Sequence, residues 1–133
     1  MRSKDNLDAY AVVMKLSVSN LQNSVKWYEE NLGFVPEPRF TTPTWVQLHV
    51  PGVDQFSIGL EETANPVNSG GESTSFAVRD IDKTREELIK KGVEVQPVIG
   101  PIHGAKLAFF NDPDGNVLSL RQPVHQGKPM RSC

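Results

Sequence analysis

The chain has 133 residues, with 14 Lys or Arg, 16 Asp or Glu and a formal charge of −2. This length suits one domain, and the scattered basic residues do not form the positive face of a nucleic-acid-binding protein. Its single Cys, its polar N-terminal segment and the lack of an apolar run of the ~20 residues needed for a membrane span favour a cytoplasmic protein without a membrane partner.

The first half of the chain begins with a strand followed by a helix. Residues 12–18 alternate between apolar and polar side chains, which is typical of a half-buried strand. Ser19 or Asn20 then caps a helix whose apolar spacing continues to Gly33. The strands expected after this helix cover residues 34–40, 44–50 and 56–60.

The second half repeats this order of elements. Residues 16–21 align with residues 76–81 at an offset of sixty positions. Asp80 or Asp82 caps the second helix, which ends at Gly92. The strands expected in this half cover residues 73–78, 93–98, 106–110 and 116–120, and an Asp-Gly turn joins the last two.

These patterns predict an α+β fold of two tandem βαβββ modules that form a curled mixed sheet around a concave ligand cavity. The whole chain, 1–133, is expected to form a single domain. Its parts are module 1 at about 10–62, a linker at 63–71, module 2 at about 72–122 and a C-terminal tail at 123–133.

Strand alternation assigns each strand side chain to the core or to the opposite face. The opposite face mixes small and polar groups, so it lines the predicted cavity or is simply solvated. The side chains expected there are Val13, Lys15, Ser17, Trp45, Gln47, His49, Ser57, Gly59 and Glu61 in module 1, and Ser73, Ser75, Ala77, Lys106, Ala108, Phe110, Val117, Ser119 and Arg121 in module 2.

Four segments, in this order and spacing, carry a resemblance to a known family. They are residues 16–34, 76–81, 91–95 and 110–120, the last containing Asn-Asp-Pro-Asp-Gly-Asn. Together they resemble the vicinal-oxygen-chelate superfamily of glyoxalases, bleomycin-resistance proteins and extradiol dioxygenases. The resemblance covers about residues 10–122 and implies the repeated βαβββ fold; relatives commonly form dimers, so a homodimer is expected.

Metal-dependent members of that family hold a divalent ion with side chains from four strand positions. Carried onto this chain, these positions are Val13, Gly59, Ser73 and Ser119. None is a His, Asp, Glu, Gln or Cys, and divalent ions need nitrogen, oxygen or sulfur donors. We therefore expect no metal and no cofactor, which brings the chain closest in character to the metal-free, bleomycin-resistance-like members.

The resemblance without metal ligands implies a metal-independent protein that binds a small aromatic or weakly anionic compound, such as an antibiotic, in resistance, sequestration or carriage. Trp45 and Phe110 would stack on the ligand, although Trp45 is equally suited to packing on its own hairpin or at a dimer contact. The residues expected to orient the ligand are Lys15, Gln47, His49, His103 and Arg121. Lys15 and Arg121 either attract an anion or pair with Glu61, and His103 lies in a loop at the cavity mouth or on the surface.

Two other functions stay open. Of these, an enzyme is less favoured than the binding protein described above. A lyase, isomerase or dioxygenase-like enzyme would use His49 and Glu61 as an acid–base pair, or a metal at a non-standard site. A degenerate domain would instead associate with a protein partner through an exposed apolar patch.

Overall fold

The computed structural model of the chain describes residues 10–66 and 74–124. The chain divides into two compact units, Met1–Val67 and Asn68–Cys133. Unit 1 contains β1 (Val12–Val18), α1 (Leu21–Leu32), β2 (Val35–Pro36), a 3-10 turn (Pro38–Phe40), β3 (Trp45–His49) and β4 (Phe56–Glu62). Unit 2 contains β5 (Thr74–Ala77), α2 (Ile81–Lys90), β6 (Ile99–Ile102), β7 (Ala105–Asn111) and β8 (Val117–Pro123).

Each unit is built on a four-stranded mixed sheet. The strand order is β1-β4-β3-β2 in unit 1 and β5-β8-β7-β6 in unit 2. In both sheets the first and last strands of the unit pair in parallel, and the remaining neighbours are antiparallel. The α+β prediction of two tandem βαβββ modules is therefore confirmed.

The core of each unit lies between its helix and one face of its sheet. In unit 1, α1 contacts β3 and β4, and Tyr28 of this helix is fully buried, with its ring stacked 5.8 Å from that of Phe34. In unit 2, α2 contacts β7 and β8, and Ile81 and Leu88 are buried on the helix. Burying a side chain of this size stabilises a fold by about 1.5–3 kcal/mol.

Both helices begin in the same way. Asn20 caps α1 by accepting a hydrogen bond from the backbone N–H of Asn23 at 2.9 Å, and Asp80 caps α2 through the N–H of Lys83 at 3.1 Å. Of the alternatives predicted, these caps are therefore Asn20, not Ser19, and Asp80, not Asp82. The two caps lie sixty positions apart, as the repeat predicts.

A second contact ties each helix to the end of a strand. The Glu62 carboxylate accepts a hydrogen bond from the backbone N–H of Leu21 at 2.7 Å, and the Gln122 amide oxygen accepts one from that of Ile81 at 2.8 Å. These N–H groups have no partner inside a helix, so a side-chain acceptor satisfies them. This pair also lies sixty positions apart, although the sequence patterns did not indicate it.

Two strands of unit 2 lie elsewhere than predicted. The short strand expected at 93–98 is found at Ile99–Ile102, and the earlier segment contributes only an isolated bridge from Val95 to Phe110. Pro97 lacks an N–H and interrupts the ladder there. The last strand continues to Pro123, beyond its predicted end at 120. Within the described residues, neither helix is long and apolar enough to cross a membrane.

Candidate functional site

The sheet face of unit 1 that points away from α1 carries the side chains predicted for the cavity. Directly paired residues share a face of a sheet. The register aligns Lys15, Gly59 and Gln47 in one row, Ser17, Glu61 and Trp45 in the next, and Val13, Ser57 and His49 in a third. The face assignment made for these residues from strand alternation agrees with this register.

The indole of Trp45 lies across Gly59 in the middle of this face. A Cβ atom added to Gly59 would collide with Cη2 and Cζ2 of the indole and would lie 3.0 Å from Cζ3. The backbone of Gly59 is not in the positive-φ region, so its conformation does not call for glycine. The glycine instead leaves the space that the half-buried indole fills.

Lys15 and Glu61 form an ion pair on the same face. Their side-chain nitrogen and oxygen lie 2.9 Å apart, and the two side chains are 56% and 45% exposed. Of the roles open to Lys15, the structure therefore places it against Glu61. The ammonium group already has an anionic partner.

The predicted acid–base pair of His49 and Glu61 is wrong. Glu61 pairs with Trp45 at one end of β3, whereas His49 pairs with Ser57 at the other end. Four residues of strand separate the two positions by about 13 Å, at about 3.3 Å per residue. The error arose because strand alternation fixes which face a residue occupies but not its distance along the strand.

The carboxylate beside His49 belongs to Glu37. Val35 pairs with His49, and the N–H of Glu37 donates to the carbonyl of Gln47 at 2.9 Å, which places Glu37 on the same face. The Arg39 guanidinium donates to Glu37 at 3.0 Å and lies 5.2 Å from the centre of the Phe40 ring. This hydrogen bond and the charge of Arg39 lower the pKa of Glu37, with a smaller contribution from His49.

These residues line a cavity of about 620 Å³ that belongs to unit 1. Its lining combines aromatic, charged and polar groups: Tyr10, Ala11, Val13, Glu37, Arg39, Phe40, Gln47, His49, Asp54, Gln55, Phe56 and Ser57. The volume lies in the range typical of small-molecule sites. Glu37, Arg39 and Phe40 were missed because the strand expected over residues 34–40 ends at Pro36, and Glu37 then caps the 3-10 turn that carries Arg39 and Phe40.

In unit 2, the predicted position of Phe110 is wrong. Phe110 pairs with Leu118, is 3% exposed and lies on the core face, as does Ala108 opposite Leu120. Lys106, which was also assigned to the non-core face, lies on the core face with Ala108 and Phe110. Phe110 is therefore a core residue and not the stacking partner expected for Trp45.

The non-core face of the unit 2 sheet carries different side chains from the non-core face of unit 1 at equivalent strand positions. Leu107 pairs with Arg121 as Trp45 pairs with Glu61, and Phe109 pairs with Ser119 as Gln47 pairs with Gly59. Arg121 is half-buried, and its role in binding stays a prediction. The register identifies Leu107 as the residue that corresponds to Trp45.

His103 lies in the tight turn between β6 and β7. Its φ is 49° and that of Gly104 is 77°, the two positive values of a type I′ hairpin turn. The side chain is exposed and does not line the unit 1 cavity. Its contact with a ligand stays a prediction.

The four positions implied by the family resemblance do not offer the donors that a divalent ion requires. Val13 and Gly59 carry no donor, the indole covers Gly59, and Ser73 lies outside the described residues. The Ser119 hydroxyl is fully buried and hydrogen-bonded to that of Ser75 at 2.5 Å. No group of three or more His, Cys, Asp or Glu within 10–66 and 74–124 is placed to hold an ion.

Comparison with known proteins identifies related chains. The family profile described as "Glyoxalase/Bleomycin resistance protein/Dioxygenase superfamily" matches residues 8–120. Among solved structures, TnmS3, an antibiotic binding protein from Streptomyces sp. CB03234, superposes with a TM-score of 0.74 at 25% identity. That alignment covers 89% of this chain and 98% of TnmS3.

Two curated relatives are similar over a smaller share of their own length. The uncharacterized protein YwkD of Bacillus subtilis (strain 168) is 36% identical over 61 residues, which are 45% of this chain and 48% of YwkD. A probable chloroplastic lactoylglutathione lyase of Arabidopsis thaliana is 28% identical over 85% of this chain and 35% of its own length. The chain thus spans about half of the first relative and about a third of the second.

Proposed function

Because the chain belongs to the Glyoxalase/Bleomycin resistance protein/Dioxygenase superfamily, we propose that it binds an aromatic small molecule on the sheet face of unit 1, without a metal ion at the superfamily's ligand positions. The superfamily includes antibiotic-binding proteins, TnmS3 among them. An antibiotic is therefore a suitable class of ligand, and resistance or sequestration a suitable role.

The observation that carries this proposal is the indole of Trp45 lying across Gly59. It presents a flat aromatic surface at one of the positions from which relatives supply a metal ligand. A half-buried indole offers a large stacking surface together with an N–H donor. This position therefore favours contact with an aromatic ring over coordination of an ion.

The adjoining cavity supports the same proposal. Gln47 and His49 extend along β3 from Trp45 and line the cavity with Phe56 and Phe40. Small-molecule sites typically combine apolar walls with a few polar groups that fix the orientation of the ligand. Gln47 and His49 provide such polar groups beside aromatic walls.

The test is a binding screen of aromatic compounds, antibiotics included, on the Trp27→Phe variant, in which Trp45 is the sole tryptophan. We expect a ligand to change the Trp45 fluorescence. Trp45→Leu should weaken binding measured by calorimetry about tenfold, or about 1.4 kcal/mol, because it removes the stacking surface. Trp27, on α1 and against Tyr28, provides the matched control, and Trp27→Phe should leave the affinity unchanged.

Two results would count against the proposal. If Trp45→Leu binds as tightly as the parent chain, the indole does not contact the ligand. If a broad panel of aromatic compounds gives no binding at all, the aromatic-ligand proposal fails.

A lyase or isomerase is the second candidate, favoured by the proximity of His49 to Glu37 in the cavity lining. An imidazole beside a carboxylate suits proton transfer, and one relative is named a probable lactoylglutathione lyase. Turnover of the thiol adduct of an α-oxo aldehyde that disappears in both His49→Ala and Glu37→Gln would support it. Turnover unaffected by both changes would exclude these residues as the acid–base pair.

A further inference from the structure

Among the described residues, the cavity of unit 1 has one charged side chain without a hydrogen-bond or ion-pair partner. Of its three charged lining residues, Glu37 and Arg39 neutralise each other through the 3.0 Å ion pair. Asp54, in the exposed turn between β3 and β4, forms no hydrogen bond or ion pair with the rest of the described chain. Glu37, Arg39 and Asp54 together therefore give the lining a formal charge of −1.

The aromatic groups of the same cavity add to this preference for positive charge. Tyr10 and Phe40 are 86% and 48% exposed, so their rings are accessible to a ligand. The face of an aromatic ring attracts a cation, as the Arg39 guanidinium near Phe40 illustrates at 5.2 Å. A protonated amine would thus find both a carboxylate and ring faces in the lining.

The cations on this face are not free to receive an anion. Lys15 is paired with Glu61 at 2.9 Å, and Arg39 is paired with Glu37. An anionic ligand would compete with Glu61 or Glu37 for these cations and would also be repelled by Asp54. A neutral or cationic ligand meets neither cost.

We infer that this cavity selects aromatic ligands by charge, accepting neutral or amine-bearing compounds and disfavouring carboxylates, with Asp54 as the residue that sets the preference. The inference rests on the proposed function and deepens it by naming the chemical class of the ligand. It differs from the weakly anionic ligand class that Lys15 and Arg121 suggested from the sequence, and the test below compares the two.

The test compares three probes that share one ring system and differ in charge: 2-naphthylmethylamine, 2-naphthalenemethanol and 2-naphthoate. Their affinities for the full-length chain are measured by calorimetry at low and at high salt. We expect the amine to bind about five- to tenfold more tightly than the carboxylate at low salt, since Asp54 attracts the ammonium group and repels the carboxylate, and exposed charges interact only modestly. High salt should reduce this ratio because it screens exposed charges.

Asp54→Asn keeps the size and polarity of the side chain and should bring the ratio of amine to carboxylate affinity close to one. Asp82→Asn, an equivalent change at an exposed position of α2, serves as the matched control and should leave the ratio unchanged. Circular dichroism of each variant establishes that it is folded.

The possible failures of the inference and of the proposed function are distinct. Equal binding of all three probes, tighter binding of the carboxylate, or a ratio that Asp54→Asn leaves unchanged would overturn the charge selection alone. If none of the three probes binds, the failure lies with the proposed aromatic-ligand site itself.

Discussion

Glycine in the interior of a strand costs about 0.5–1 kcal/mol relative to alanine, because it loses more backbone freedom on folding. At Gly59 in β4 this cost has a clear structural reason, since the indole of Trp45 occupies the space of the missing side chain. The two residues are therefore coupled: the glycine is favourable only while the tryptophan is present.

This coupling predicts opposite effects of one substitution in two backgrounds. Gly59→Ala in the parent chain should lower the free energy of unfolding by about 1–3 kcal/mol, because the added methyl group displaces the indole. In the Trp45→Ala background the same change should raise it by about 0.5–1 kcal/mol. Denaturant unfolding of the four proteins in a double-mutant cycle measures both effects. An equal effect in the two backgrounds would show that Gly59 and Trp45 are independent.

At the scale of elements, both units attach the start of their helix to the end of their last strand by a side-chain hydrogen bond. The acceptor is the carboxylate of Glu62 in unit 1 and the amide of Gln122 in unit 2. The repeat therefore contains its own comparison of a charged with a neutral acceptor at equivalent positions. Because Gln122 makes this contact with a neutral group, the charge of Glu62 is not required for it.

Removing the acceptor should be costly, whereas removing only its charge should not. We expect Glu62→Ala to lower the free energy of unfolding by about 1 kcal/mol, because the N–H of Leu21 loses its acceptor. Glu62→Gln should cost less than half as much. Thermal and denaturant unfolding provide the measurement, with Glu86→Gln, on an exposed position of α2, as the control for loss of one charge. Equal destabilisation by both Glu62 variants would mean that charge, not the hydrogen bond, is responsible.

The sequence predicted the order of the elements, although the strand after each helix is shorter than expected or lies elsewhere. It also predicted the faces where polar and apolar residues alternate clearly. In β3, Trp45, Gln47 and His49 alternate with buried Val46 and Leu48, so the faces were assigned correctly.

In β7, Leu107, Phe109 and Phe110 place apolar groups on both faces, and Lys106 misleadingly indicated the exposed one. Pairing with Ser119 and Leu120 of β8 determines the orientation of β7, and this long-range information is not present in the strand itself.

The site was predicted less completely than the fold. The residues on regular strands were found, but Glu37 and Arg39 were not, because their positions depend on how the chain leaves β2. Distances along the strands were also not available from alternation, which is why His49 was paired with Glu61 instead of Glu37. Local pattern thus identifies the face of a side chain, whereas register and turns determine its neighbours.

At the scale of the whole molecule, two units with the same order of elements differ in the groups on their non-core faces. Unit 1 carries an indole over a glycine, whereas unit 2 carries Leu107 and the hydrogen-bonded hydroxyls of exposed Ser75 and buried Ser119 at the corresponding strands. The common backbone plan does not impose a common chemistry on the two faces. Each unit's contribution to binding must therefore be tested separately.

Metal binding by the full-length chain provides a test at this scale. Because the superfamily's metal positions within the described residues offer no suitable donor set, we expect Zn²⁺, Ni²⁺, Mn²⁺ and Fe²⁺ to leave the melting temperature unchanged. Metal analysis of the purified, tag-free protein should likewise give no stoichiometric ion. A stoichiometric ion whose binding is lost in Ser119→Ala would contradict this prediction, whereas one that survives this change would lie at a different site.

The contact between Trp45 and Gly59 also constrains how this protein can change through evolution. A mutation that introduced His or Glu at position 59 would meet the indole before the new side chain could reach an ion. Metal binding through position 59 would therefore require the tryptophan to be replaced first, which removes the indole surface before any ion is gained. The order of these two substitutions therefore matters, because a metal ligand at position 59 is sterically possible only after the indole has gone.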